Sequence, residues 1–121
     1  ARRYTALLEG CDAFDLPIEA PGSVHAWHLY ILRLRAGVLR IGRDRLIALL
    51  GERAIGTSVH FLPQHLHSFY RRTFGYRGGA FPRTERESAR ALSLPLYPGL
   101  LQGAQDRVVE ALLDIAGRFR R

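Results

Sequence analysis

The chain has 121 residues, 47% hydrophobic and 24% charged, enough for one domain with a modest core. Its longest apolar runs, such as Leu46 to Leu50, are far too short to cross a bilayer, and the mixed segment after Arg2 and Arg3 is unlike the apolar stretch of a secretory signal. The single cysteine, Cys11, excludes an intrachain disulfide and fits a reducing, cytoplasmic setting, while the formal charge of +7 asks for an anionic partner or a well-solvated surface.

Residues 1–9 read as a helix, with Tyr4, Leu7, Leu8 and Cys11 forming one apolar stripe. No capping residue precedes it, so it reads as the end of a longer helix whose stripe is open for a partner. Residues 12–22, with Pro17 and Pro21, read as loop. Val24 to Leu34 is rich in aromatic and branched residues and reads as the main strand. Its alternation turns Trp27, Leu29 and Ile31 one way and His28, Tyr30 and Leu32 the other, so both faces are expected to be covered. Residues 43–54 read as a helix buried through Leu46, Ile47, Leu49 and Leu50, with Asp44 near its positive end and Gly56 beyond its close.

Residues 57–62 read as a second strand, Val59 and Phe61 on a buried face and Ser58 and His60 on the other. Pro63 ends it, and residues 64–74 supply one or two helical turns with Tyr70, Arg71 and Arg72. Residues 75–81 read as loop, and Pro82 suits the first position of another helix. Residues 93–97 are a short extended piece that Pro95 confines to an edge. The stripe of Val108, Val109, Leu112, Leu113 and Ala116 marks residues 105–119 as the clearest helix. The order predicts an α+β fold: a few strands, mixed or antiparallel, backed by helices.

All 18 basic residues are arginine, and there is neither lysine nor methionine. Without lysine, no side chain here can form a Schiff base with a carbonyl cofactor. Without an initial methionine, Ala1 is not an unprocessed start, which points to processing or to excision from a longer chain. The charge is uneven. Residues 21–60 and 61–90 each carry six arginines against two acids, so the middle of the chain holds most of the excess and suits a nucleic acid or a small phosphorylated ligand.

Among the histidines, His65 and His67 have the spacing of a metal pair, but no carboxylate lies between Glu52 and Glu85, which favours packing or hydrogen-bonding roles. His60, beside Ser58 on the face opposite Val59 and Phe61, meets solvent, a second layer or a ligand. No phosphate loop, dinucleotide fingerprint, nucleophile elbow or helix-turn-helix signature is present.

Four blocks, in order, carry a specific likeness. They are His25-Ala26-Trp27-His28-Leu29-Tyr30; Arg43 to Ile47 running on through Ile55-Gly56-Thr57-Ser58-Val59-His60-Phe61-Leu62-Pro63; His65 to Phe69 with Tyr70-Arg71 and Phe74-Gly75-Tyr76; and Leu92-Ser93-Leu94-Pro95-Leu96-Tyr97-Pro98-Gly99. Together they resemble the carboxyl-terminal domain of the DegT/DnrJ/EryC1/StrS sugar aminotransferases, which use pyridoxal phosphate. The resemblance implies the small α+β domain of a fold-type I enzyme, with residues 1–22 as the end of an interdomain helix and linker and residues 23–121 as the small domain. The large domain, which supplies the Schiff-base lysine and most cofactor contacts, would be absent, and no cofactor is expected on this chain alone.

The implied reaction moves an amino group, usually from glutamate, to a keto group of a nucleotide-linked sugar. The implied partners are the large domain of the same polypeptide and a second copy in a homodimer, with no nucleic acid and no membrane. The histidine of the family's Gly-x-x-x-His-Phe/Tyr stretch maps onto His60, which is assigned to substrate binding. Ser58, Tyr30 and Arg71 are the further candidates. The alternatives are a stand-alone binding or regulatory domain of the same fold, and a basic nucleic-acid binder.

Overall fold

Tyr30, Leu32 and Leu34 alternate with the half-buried Ile31 and Arg33, and this two-residue period builds the central strand. A computed structural model describes all 121 residues. The elements are α1 (Arg2–Leu8), β1 (Phe14–Asp15), β2 (Tyr30–Leu34), α2 (Arg43–Gly51), a 3₁₀ turn (Gln64–Leu66), α3 (Ser68–Phe74), α4 (Pro82–Arg90), β3 (Ala91–Leu94) and α5 (Gln102–Arg118). The sheet runs β1-β2-β3 and is antiparallel throughout, with Phe14 opposite Leu34 and Tyr30 opposite Leu94. The expected α+β architecture is present, and of the two sheet types considered it is the antiparallel one.

One face of the sheet packs with α1, α2 and α5 in a single cluster of 20 buried apolar residues, none of which falls between residues 56 and 91. Tyr4 and Tyr30 meet inside it, their rings 5.2 Å apart. The other side of β2 is covered by α4, where Arg90 joins Glu87 at 2.7 Å and also reaches Asp15 on β1.

Several elements differ from the expectations. The strand foreseen from Val24 is real only from Tyr30, because β3 ends opposite that residue at Leu94 and offers no further partner. Val24 is 93% exposed, and the Trp27 amide donates to Nδ1 of His25 at 2.8 Å in place of a ladder bond. β1 lies within the expected loop. Residues 57–62 form no strand: only Ser58 pairs, exchanging two backbone bonds of 2.7 and 3.2 Å with Ser93. Phe61, expected to be buried, is 75% exposed, and Val59 is half-buried.

The left-handed residue after α2 is Ala54, at φ 56°, and not Gly56. The stripe of α1 is open only in part: Tyr4 and Leu8 are buried, Leu7 is exposed, and α1 packs on α5 with Arg3 paired to Asp106. Residues 1–14 reach the common core through Tyr4, Leu8, Ala13 and Phe14. No helix is long and apolar enough to cross a membrane.

Candidate functional site

The segment from Ser58 to His65 has almost no regular structure, so side chains must hold it. They come from α4 and β3. Ser93, buried on β3, holds Nδ1 of His60 with its Oγ at 2.9 Å. Ser88 on α4 donates to the Phe61 carbonyl at 3.1 Å. Glu85, one turn earlier on the same helix, accepts from Nε2 of His65 at 2.9 Å. Behind them, Arg43 of α2 donates to the carbonyls of Ser88 and Ala91 at 2.9 and 3.3 Å, fixing the α4–β3 junction to the core side.

His60 is thus oriented without being a core residue. It is half-buried, with one ring nitrogen paired to Ser93 and its ring set edge-on against Phe61 at 5.0 Å. Nε2 has no protein partner. Ser58 is exposed and close in sequence, and its backbone is fixed by the Ser93 bridge. The structure therefore brings Ser58 and His60 to one place through Ser93, although the strand alternation expected to do so is absent.

The other two candidates lie elsewhere. Tyr30 is fully buried, its hydroxyl paired with Thr5 at 3.0 Å and its pKa raised by burial. A side chain with no exposed surface cannot reach a ligand, so Tyr30 is a core residue and leaves the candidate set. Arg71 stands on α3, exposed, where it lines an open concavity of about 430 Å³ with Ser68, Arg72, Tyr76 and Arg77. None of its three arginines makes an ion pair, although eleven of the twelve ion pairs in the chain use an arginine.

Next to it, sharing Tyr76, a concavity of about 380 Å³ is lined by Gln64, His65, Tyr70, Phe74 and Phe81. Residues 61–81 thus form an arm with exposed aromatic rings and unopposed positive charge. His65 and His67 do not converge on a metal: His65 bonds Glu85, His67 bonds the Leu62 carbonyl at 3.4 Å, and no three potential ligands gather anywhere. Ser88 and Ser93 escaped the sequence reading. Glu85 entered it only as the end of a stretch without carboxylates; the three-residue spacing of Glu85 and Ser88 was the available signal.

A three-stranded antiparallel sheet backed by helices also forms part of solved aminotransferase structures. The chain belongs to the DegT/DnrJ/EryC1/StrS aminotransferase family, whose sequence profile matches residues 1–113. It is 41% identical over 120 residues to the uncharacterized protein MJ1066 of Methanocaldococcus jannaschii, covering 99% of this chain and 31% of that protein. It is 41% identical over 118 residues to the spore coat polysaccharide biosynthesis protein SpsC of Bacillus subtilis, covering 95% and 30%. DesV of S. venezuelae, solved in complex with a ketimine intermediate, superposes with a TM-score of 0.81 at 32% identity over 95% of this chain and 29% of its own. The chain spans about a third of the length of these relatives.

The family's cofactor chemistry needs an amine on the protein, and these 121 residues include no lysine. The donor set of this chain does not fit the covalent site of pyridoxal phosphate.

Proposed function

We propose that this chain is the substrate-contacting small domain of a longer, pyridoxal-phosphate-dependent sugar aminotransferase that takes its amino group from glutamate and delivers it to a nucleotide-linked keto sugar. The cofactor and its lysine belong to a large domain of the same polypeptide, and two such polypeptides form a cytoplasmic homodimer. The chain alone is inactive. The observation that supports this reading is at His60: Ser93 holds one ring nitrogen while the other has no protein partner, which suits the substrate-binding role assigned to it. His60 and Ser58 bind the sugar or the donor carboxylate. Arg71, with Arg72 and Arg77 beside it, takes the phosphorylated half, since three guanidinium groups without carboxylate partners suit an anion.

The test is His60→Ala in the full-length enzyme. Cofactor loading should be normal, and kcat/KM for amino transfer should fall by about 1.5–3 kcal/mol, on the order of ten- to a hundredfold, as for loss of a hydrogen bond to a charged group. Unchanged kinetics would remove His60 from the site.

A further inference from the structure

One buried titratable group has no part in these substrate contacts. His65 is only 6% exposed, yet it sits in the arm, where almost everything else is open to solvent. Its Nε2 meets Glu85 Oε1 at 2.9 Å, and the same carboxylate accepts the Gly79 amide on both oxygens at 2.9 Å and the Phe81 amide at 3.2 Å. One side chain on α4 therefore joins the 3₁₀ turn, the 75–81 loop and the helix start. Gly79 lies at φ 90°, a conformation that turns its amide inward and that a side chain would resist.

Every amide partner of this carboxylate is a donor, so the cluster is complete when Glu85 is ionised and the His65 proton is on Nε2. The Gly79 amide, then His65 and the Phe81 amide, hold the Glu85 carboxyl below the usual carboxylate range, in keeping with that state. The rings carried by the anchored loop close around His65, Phe81 at 4.8 Å and Tyr76 at 6.4 Å between centroids. The core does not hold the arm: α3 has no buried residue and contributes nothing to the core cluster. Tyr76 also meets the rings of Phe74 and Phe81 at 6.1 and 5.6 Å, but Glu85 is the side chain that ties this cluster by hydrogen bonds to α4.

We propose that Glu85 is a positioning residue: through His65 and the amides of Gly79 and Phe81 it holds the 64–81 arm so that Arg71, Arg72 and Arg77 meet the phosphorylated half of the substrate. The proposal rests on the aminotransferase reading for the identity of that substrate.

The experiment compares wild type, Glu85→Ala, Glu85→Gln and His65→Ala in the full-length, cofactor-loaded protein. It reads amide exchange at Gly79 and Phe81, binding of uridine diphosphate as the phosphorylated probe, and the half-reaction with glutamate. In Glu85→Ala the two amides should exchange at least about tenfold faster and the probe should bind about tenfold more weakly, while the glutamate half-reaction stays within about twofold. Glu85→Gln keeps a carbonyl acceptor for the amides and should recover most of their protection. His65→Ala should weaken the probe in the same direction. Three results overturn the proposal: unchanged exchange and probe binding in Glu85→Ala, equal loss of probe binding and glutamate reaction alongside a lowered Tm, or no probe binding by the wild type. A wild type that accepts no amino group from glutamate defeats the aminotransferase reading instead, and the exchange data still judge whether Glu85 fixes the arm.

Discussion

Residues 1–55 together with 92–116 contain every member of the apolar core cluster, whereas residues 56–91 contain none. The first region is held by area removed from water, and its elements follow the apolar periods of the sequence. The second is held by a row of polar clamps: Ser93 on His60, Ser88 on the Phe61 carbonyl, Glu85 on His65 and two amides. Apolar burial is non-directional and tolerates small shifts, but hydrogen bonds fix particular atoms. The aromatic rings and guanidinium groups of the second region lie largely outside any core of their own. That region is instead fastened from beneath by groups that leave those side chains exposed.

The largest contrast should come from truncating one apolar side chain in each region. Leu112 on α5 is fully buried, so Leu112→Ala should cost about 2–5 kcal/mol in chemical denaturation. Phe74 on α3 is 59% exposed, and Phe74→Ala should change the same midpoint by less than about 0.5 kcal/mol. Comparable losses at the two positions would show that the arm carries part of the folding core.

Acid should separate the regions next. The Glu85 carboxyl is held low chiefly by the Gly79 amide, then by His65 and the Phe81 amide. A lowered folded-state pKa means that the stabilisation is present above the unfolded-state value and is lost as pH falls through the folded-state one. Amide exchange at Gly79 and Phe81 should therefore rise relative to Leu32 and Leu112 as the solution is acidified below the ordinary glutamate range. Asp15, held low chiefly by Arg90, titrates in the same direction, but the core beneath it persists without that pair. Parallel exchange curves for arm and core would contradict the division.

The same division decides what could be read from the sequence. α2 and α5 were legible because Leu46, Leu49 and Leu50, and Val108, Leu112 and Ile115, repeat at helical spacing and are buried where they repeat. The strand was legible from Tyr30 to Leu34, but its start was not. Val24 to His28 are as strand-like in composition as Tyr30 to Leu34, and only the length of β3, some sixty residues later, limits the ladder. β1, at two residues, is too short for any period to appear. In the arm, alternation misled, since Phe61 is exposed; on β2, Tyr30, offered as a site residue through the resemblance, is core. His60 and Ser58 do come together, but through Ser93, 33 residues beyond His60, whose main chain pairs with Ser58 and whose hydroxyl meets His60. A polar clamp between distant residues has no period and leaves no trace in a local pattern.

The smallest expected effect tests that clamp directly. Ser93 is buried on β3, and its Oγ meets Nδ1 of His60 at 2.9 Å. Ser93→Ala removes this bond but keeps the backbone bridge to Ser58, which uses only main-chain atoms. The half-buried imidazole can take water in place of the hydroxyl, so the stability loss should be about 0.5–1.5 kcal/mol, the usual net worth of one hydrogen bond. The ring should lose its fixed orientation at the same time, because the edge-on contact with Phe61 gives it no second polar anchor. In the full-length enzyme, Ser93→Ala should lower kcat/KM less than His60→Ala does, and adding it to His60→Ala should cause almost no further kinetic loss. Such non-additivity is the signature of two residues acting through one contact. If the two kinetic losses simply add, Ser93 acts independently of His60, and the orientation of the histidine must come from some other contact in the arm.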